Sequence, residues 1–254
     1  VQKLLLAISL GFLFFPPALF AGNTNTISVA NEFLQITLNA TNGSVLELTD
    51  LPTKQNELEA SEKIPLWEIE LVSGTNHVRL SPAQAKTFHS ENVNGKEPGL
   101  RLLWEQFDFT NAPDLKVVVL VQLEKTVASS RWNIAVENSG ALTLNSVHFP
   151  RISGLRKSED ESLAVPVWLG QQADNPRQLL AGGDKKGKRM EWDYPGYISL
   201  QCLAFYQKDG LGFYAACDDT NALRKSFAFW GDANGEVNYE MVHLPENSTS
   251  PLNR

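Results

Sequence analysis

The chain reads as all-β: an antiparallel β-sandwich with only a few short helical turns. Three observations predict this. Strand-type runs, either alternating apolar and polar or rich in Val, Ile, Phe, Tyr and Trp, recur at a spacing of roughly 8–15 residues. Turn residues separate them, above all Asn42-Gly43 and Asp209-Gly210. No window sustains apolar residues at i, i+3, i+4 and i+7 through three helical turns.

The elements follow in order. Thr26–Val29 and Phe33–Leu38 alternate, and Asn42-Gly43 turns the chain into Val45–Leu48. Leu66–Val72 (LWEIELV) and Leu100–Phe107 (LRLLWEQF) come next. Leu115–Leu123 (LKVVVLVQL) holds consecutive branched residues, which predicts a central strand covered on both faces. It pairs antiparallel with Trp132–Val136 across a short loop; Leu142–Phe149 and a short strand at Val165–Leu169 follow. The segment Trp192–Asp219 then predicts an aromatic loop (Trp192, Tyr194, Pro195, Tyr197) leading into a hairpin that turns at Lys208-Asp209-Gly210. Phe227–Trp230 and Val237–Leu244 close the set. Single helical turns are expected at Pro176–Ala181 or Asn221–Lys225.

Both ends differ from this body. Lys3, the apolar run Leu4–Phe15, Pro16-Pro17 and the small residue Ala21 match a secretory signal peptide, and the run is too short to span a bilayer. Residues 1–21 are therefore expected to be a leader, 22–244 one β domain, and 245–254 a linker. The protein is expected to be exported, to the periplasm or the extracellular space, with no membrane attachment in its mature form.

A formal net charge of −7 argues against nucleic acid and anionic lipid as partners, since both need a basic face. It suits a neutral partner such as a sugar. Two cysteines are too few for a thiolate metal site, and no cofactor is expected. The basic stretches Arg156-Lys157 and Lys185–Arg189 read as solvated loops; Gly182-Gly183-Asp184 opens no helix and is no phosphate loop.

The candidate chemistry gathers at the hairpin. A two-residue turn at Asp209-Gly210 places Cys202 opposite Cys217, close enough for a disulfide or for two thiols packed side by side. The same register brings the loop before Ile198 and the end of the returning strand together. Trp192, Asp193, Tyr194, Tyr197, Asp218 and Asp219 then share one neighbourhood. Rings that pack on a pyranose, beside carboxylates that accept from hydroxyls, suit sugar binding; rings that plug the end of the core are the alternative. Among four histidines, none lies in a catalytic or metal-type spacing. His148, at a strand end in SVHFP, is the best site candidate.

The segment Trp192–Asp219 resembles the late hairpin of the galactose-mutarotase-like β-supersandwich. It is most similar to the version at the N-terminus of large secreted glycoside hydrolases, where a (β/α)8 barrel follows. Tyr194-Pro195-Gly196, Gln201, Phe205-Tyr206, Gly212-Phe213-Tyr214 and Asp218 carry the pattern, and Asn31–Asp50 resembles the family's first hairpin. The resemblance spans roughly residues 26–244 and rests on strand and turn residues. It implies a carbohydrate-associated domain that helps shape a poly- or oligosaccharide cleft and packs on a catalytic barrel absent from this chain. Catalytic carboxylates would then lie on that barrel, leaving the catalytic residues of this chain unknown. Stand-alone relatives of this fold are aldose epimerases with a His/Glu pair, whose surroundings do not match His77, His148 or any Glu here. A purely structural exported sandwich is the third reading.

Overall fold

The alternating runs fold into strands joined only by antiparallel pairings. A computed structural model describes residues 25–245, apart from 60–63, 94, 111, 141, 183–186 and 209. The expected leader, most of the linker, Lys185-Lys186 and Asp209 lie outside the described residues. In chain order the strands begin with β1 (Thr26–Ala30), β2 (Leu34–Asn39), β3 (Val45–Asp50), β4 (Gln55–Asn56), β5 (Glu68–Ser73) and β6 (Asn76–Leu80). A 3-10 turn at Pro82–Gln84 leads to β7 (Ala85–Val93), β8 (Gly99–Phe107), β9 (Lys116–Leu123), β10 (Ser130–Glu137) and β11 (Thr143–Ile152). Next come β12 (Glu161–Val165), β13 (Gln171–Asp174), the helix α1 (Pro176–Ala181) and β14 (Arg189–Tyr194). The last are β15 (Cys202–Gln207), β16 (Gly212–Ala216), β17 (Lys225–Gly231) and β18 (Val237–His243).

They form four sheets: β1-β2-β3-β4, β10-β9-β8-β7, β14-β17-β18-β11-β5-β6 and β13-β12-β15-β16. The six-stranded sheet is the centre of the molecule. One of its faces carries Ile69, Leu71, Phe149, Phe227, Phe229, Tyr239 and Met241, all buried. Trp132 of β10 meets Phe149 there at 6.3 Å between ring centroids, and Trp67 meets Trp104 of β8 at 5.6 Å. From the sheet β13-β12-β15-β16, Phe205 meets Phe229 at 5.5 Å and Phe213 meets Tyr239 at 4.8 Å. These rings join three of the sheets, and Val29, Ile36 and Leu38 bring β1 and β2 into the same core, where each buried large apolar side chain stabilises by roughly 1.5–3 kcal/mol.

The antiparallel pairing of β9 with β10 is as expected, with Val121 opposite Trp132. Coverage differs from expectation. Val117, Val119, Val121 and Leu123 are buried, whereas Val118 and Leu120 are only partly so. One face of β9 packs on the core and the other is half covered. Pro176–Ala181 is helical, whereas Asn221–Lys225 is turn leading into β17. The strand expected at Val165–Leu169 lies earlier, at β12; residues 166–170 are the turn after it.

The largest local difference is at the hairpin. Cys202 pairs with Ala216, not Cys217, because Gln207 N donates to Leu211 O and three residues, not two, form the turn. A one-residue change of register moves a side chain to the other face. Cys217 therefore packs towards the core while Cys202 faces outward beside Tyr214, and both are free thiols.

Candidate functional site

The face of the six-stranded sheet turned away from the core is charged. Residues paired across adjacent strands share a face. The registers therefore lay out one row as Asp193 (β14), Ser226 (β17), Val242 (β18), His148 (β11) and Glu68 (β5). The next row runs Glu191, Ala228, Glu240 and Arg151. Asp193 and His148, both singled out from the sequence, thus lie on one face, three strand spacings or roughly 14 Å apart.

The chain reaches this arrangement through a bulge. His148 and Arg151 are three residues apart, so a regular strand would send them to opposite faces. Between them β11 carries one extra residue relative to β18, since His148 faces Val242 and Arg151 faces Glu240. Pro150, which has no N–H for a ladder, falls inside that irregularity, where a strand tolerates proline. The bulge returns Arg151 to the face of His148, and both reach the same carboxylate.

That carboxylate is Glu240. Its side chain is 4% exposed. His148 Nδ1 stands 3.0 Å from Oε1, and Arg151 Nε donates to Oε2 at 2.8 Å. Arg189 crosses from β14 to place Nη1 2.8 Å from Oε1. Its path passes the strand that carries Ala228, where a methyl group leaves room, and its guanidinium stacks 5.6 Å from the Trp230 ring centroid. Burial alone would raise the Glu240 carboxyl, but His148, Arg189 and Arg151 outweigh it and hold the pKa down at about 2. The network continues through Arg151 Nη1 to Glu68 at 3.4 Å and from Glu68 to Arg79 at 3.8 Å. Beside it, Glu70 accepts from Asn145 and meets His77 at 3.1 Å; the Asn145 bond, offset in part by desolvation, holds its carboxyl below the ordinary range.

The hydrogen-bonding capacity left on the guanidinium groups of this network is of one kind. Both oxygens of Glu240 are engaged. His148 Nε2, Arg151 Nη2 and Arg189 Nη2 make no hydrogen bond among the described residues. Two guanidinium groups hooked to one carboxylate thus keep donors free beside it, next to the open Nε2 of the His148 ring. A ligand meeting the two guanidinium groups must bring acceptor oxygens.

The other sequence candidates lie elsewhere. The expected aromatic loop begins as strand β14. Trp192 is buried against Phe229 at 6.4 Å, so its ring belongs to the core and offers no face to a sugar. Tyr194 turns the same way and carries the Lys225 ammonium 5.2 Å from its ring centroid. Lys225 Nζ donates to Asp219 Oδ2 at 2.8 Å and to Gln201 Oε1 at 2.5 Å, and Gln201 Nε2 donates to the Asp219 carbonyl. Backbone N–H groups of Asn221 and Leu223 also reach the Asp219 carboxylate. The hydrogen bond from Lys225 is the main cause that holds its pKa below the usual value. Tyr194 and Asp219 are therefore neighbours as expected, but as parts of a clamp at the sheet's end. Asp193 accepts from Ser226 Oγ at 2.7 Å, while Tyr197 and Asp218 are exposed in loops.

Glu240, Arg151 and Arg189 were missed by sequence reasoning. The one local signal was Pro150 within a strand-type run, which marks a bulge. No group of three or more His, Cys, Asp or Glu side chains among the described residues could hold a metal ion. No family model matches the chain, and no curated protein matches it either.

Proposed function

We propose that the chain is a carbohydrate-associated β domain of an exported glycoside hydrolase, built as a galactose-mutarotase-like supersandwich and packing on a catalytic barrel. Its sugar-facing surface is the charged face of the six-stranded sheet, not the aromatic loop. The observation that carries this reading is the set of free donors on Arg151 and Arg189, beside the open His148 Nε2, around a pinned Glu240. A sugar is rich in acceptor oxygens and brings no net charge to a protein of formal charge −7. Asp193 and Glu68, in the same row, supply acceptors for its hydroxyls.

An aldose-epimerase-like enzyme is the second reading, and the His148–Glu240 contact is what favours it. Two features weigh against it. An acid and a base acting on one sugar need the sugar between them, whereas these two groups touch. A carboxylate held at about pKa 2 is also a weak general base near neutrality.

A glycan array probed with the purified chain tests the proposal, with mutarotation of glucose and galactose followed by polarimetry on the same preparation. Binding without mutarotation is the expected outcome. Rapid mutarotation lost in Glu240→Gln would establish the epimerase reading instead. A blank array from folded protein would leave a purely structural role.

A further inference from the structure

The tip of the β12–β13 hairpin is the most exposed apolar feature among the described residues. Trp168 is 84% and Leu169 105% exposed. The tip is built, not frayed. Gly170 N donates to Val167 O, Ser199 Oγ donates to Pro166 O and lies 3.4 Å from Trp168 O, and Trp168 sits at φ +56°, a conformation costly for a side chain of its size. The neighbouring loop adds Tyr197 and Leu200, 49% and 60% exposed. Isolated apolar residues on a surface are ordinary, but a rigid cluster marks an interface.

Three observations say what covers it. First, β13 is the free edge of its sheet. It carries no lysine, no proline and no bulge, the usual devices that blunt an edge. Second, the region is free of charge. No charged residue occurs from Ser162 to Ala173 or from Tyr194 to Gln207. The Asp174 carboxylate, at the end of β13, already accepts from Ser162 Oγ at 3.0 Å and Gln172 Nε2 at 3.3 Å. In a net-acidic protein this is a surface where two identical chains can meet without like-charge repulsion. Third, the surface is self-complementary. A two-fold axis pairs identical edge strands antiparallel, so the start of one β13 lies beside the end of the other. The tip that precedes β13 in one copy then meets α1, which follows β13 in the second copy after Asn175 alone. Leu179 of that helix stands 47% exposed.

We propose that the chain forms a two-fold dimer in which the β13 edges pair across the axis beside Gln172–Ala173. Trp168 and Leu169 of each copy pack on α1 of the other. The two tips, the two helices and the paired edges together form the contact face. The hairpin tips anchor it on either side of the axis, since a buried tryptophan carries a large share of an interface's affinity. This dimer does not depend on the chain binding sugar.

Sedimentation velocity across a concentration series of the purified chain tests it. The expected result is a reversible shift from one to two chain masses. The double variant Trp168→Ser, Leu169→Ser weakens association by roughly tenfold or more, with circular dichroism and melting temperature unchanged. Gln172→Pro, which removes a donor at the free edge, weakens it independently of the tip. A wild-type chain that stays monomeric throughout the series overturns the proposal. So does a dimer that persists unchanged in the folded tip variant.

Discussion

Two buried glutamates in this molecule are held by arginine, and they are held differently. Glu161 on β12 is gripped by Arg177 of α1 through Nε at 2.8 and 2.7 Å. The rest of that guanidinium is equally engaged. Nη1 donates to Gly235 O, and Nη2 donates to Leu155 O and Arg156 O, all within 2.7 Å. The Phe205 ring lies 5.6 Å from the guanidinium carbon. No nitrogen of Arg177 is left for a ligand. Around Glu240 the carboxylate is engaged in full, but His148, Arg151 and Arg189 each keep a nitrogen without a partner among the described residues. A saturated ion pair ties elements together; an unsaturated one on a sheet face can also receive something. That difference, more than the amount of charge, separates framework from candidate site here.

The comparison can be broken by substitution. Arg177→Ala should have the largest effect, since it strands Glu161 and three backbone carbonyls. A loss of about 3–5 kcal/mol in denaturant unfolding is expected, the scale of removing one partner of a buried ion pair. Trp192→Ala belongs on the framework side too, because the ring is core. It should cost about 3–5 kcal/mol, and if it instead leaves the melting temperature intact, the loop reading of the sequence was right. On the other side, Arg151→Gln together with His148→Ala should lower glycan affinity roughly tenfold or more. Its cost in stability should be smaller than that of Arg177→Ala.

Acid separates the two regions as well. The Glu240 carboxyl is depressed from 4.5 to about 2, so its ionised form is favoured by the fold. The resulting stability is present in full above pH 4.5 and is lost as pH falls from there towards 2. Melting curves of Glu240→Gln should therefore fall less steeply across that window than those of the wild type. Equal slopes would mean that His148, Arg189 and Arg151 do not stabilise the carboxylate.

The strands β1–β3, β8–β11, β17 and β18 were legible because each shows either alternation or a run of branched and aromatic residues. β13 and β14 were not. Gln171–Asp174 contains no large apolar residue, and Arg189–Tyr194 looks like a loop until β17 supplies its partner. The cysteine register failed for a local reason, a turn one residue longer than its Asp-Gly pair suggests. The site was legible only in fragments. His148 and Asp193 stood out singly, but Glu240 lies 92 residues from His148 and 89 from Arg151. Contacts at that separation are set by the order of strands in the sheet, which no short motif reports. Pro150 alone betrayed the bulge that aims both side chains at one carboxylate.

Among the described residues, nitrogens around Glu240 are open and those of Arg177 around Glu161 are closed. Arginine side-chain NMR signals, assigned with Arg151→Gln, Arg189→Gln and Arg177→Lys, test it directly during titration with the glycans that the array retains. The signals of Arg151 and Arg189 should move together with the His148 ring while that of Arg177 stays in place. Signals of Arg151 and Arg189 that stay fixed, or an Arg177 signal that moves as far as theirs, would contradict it.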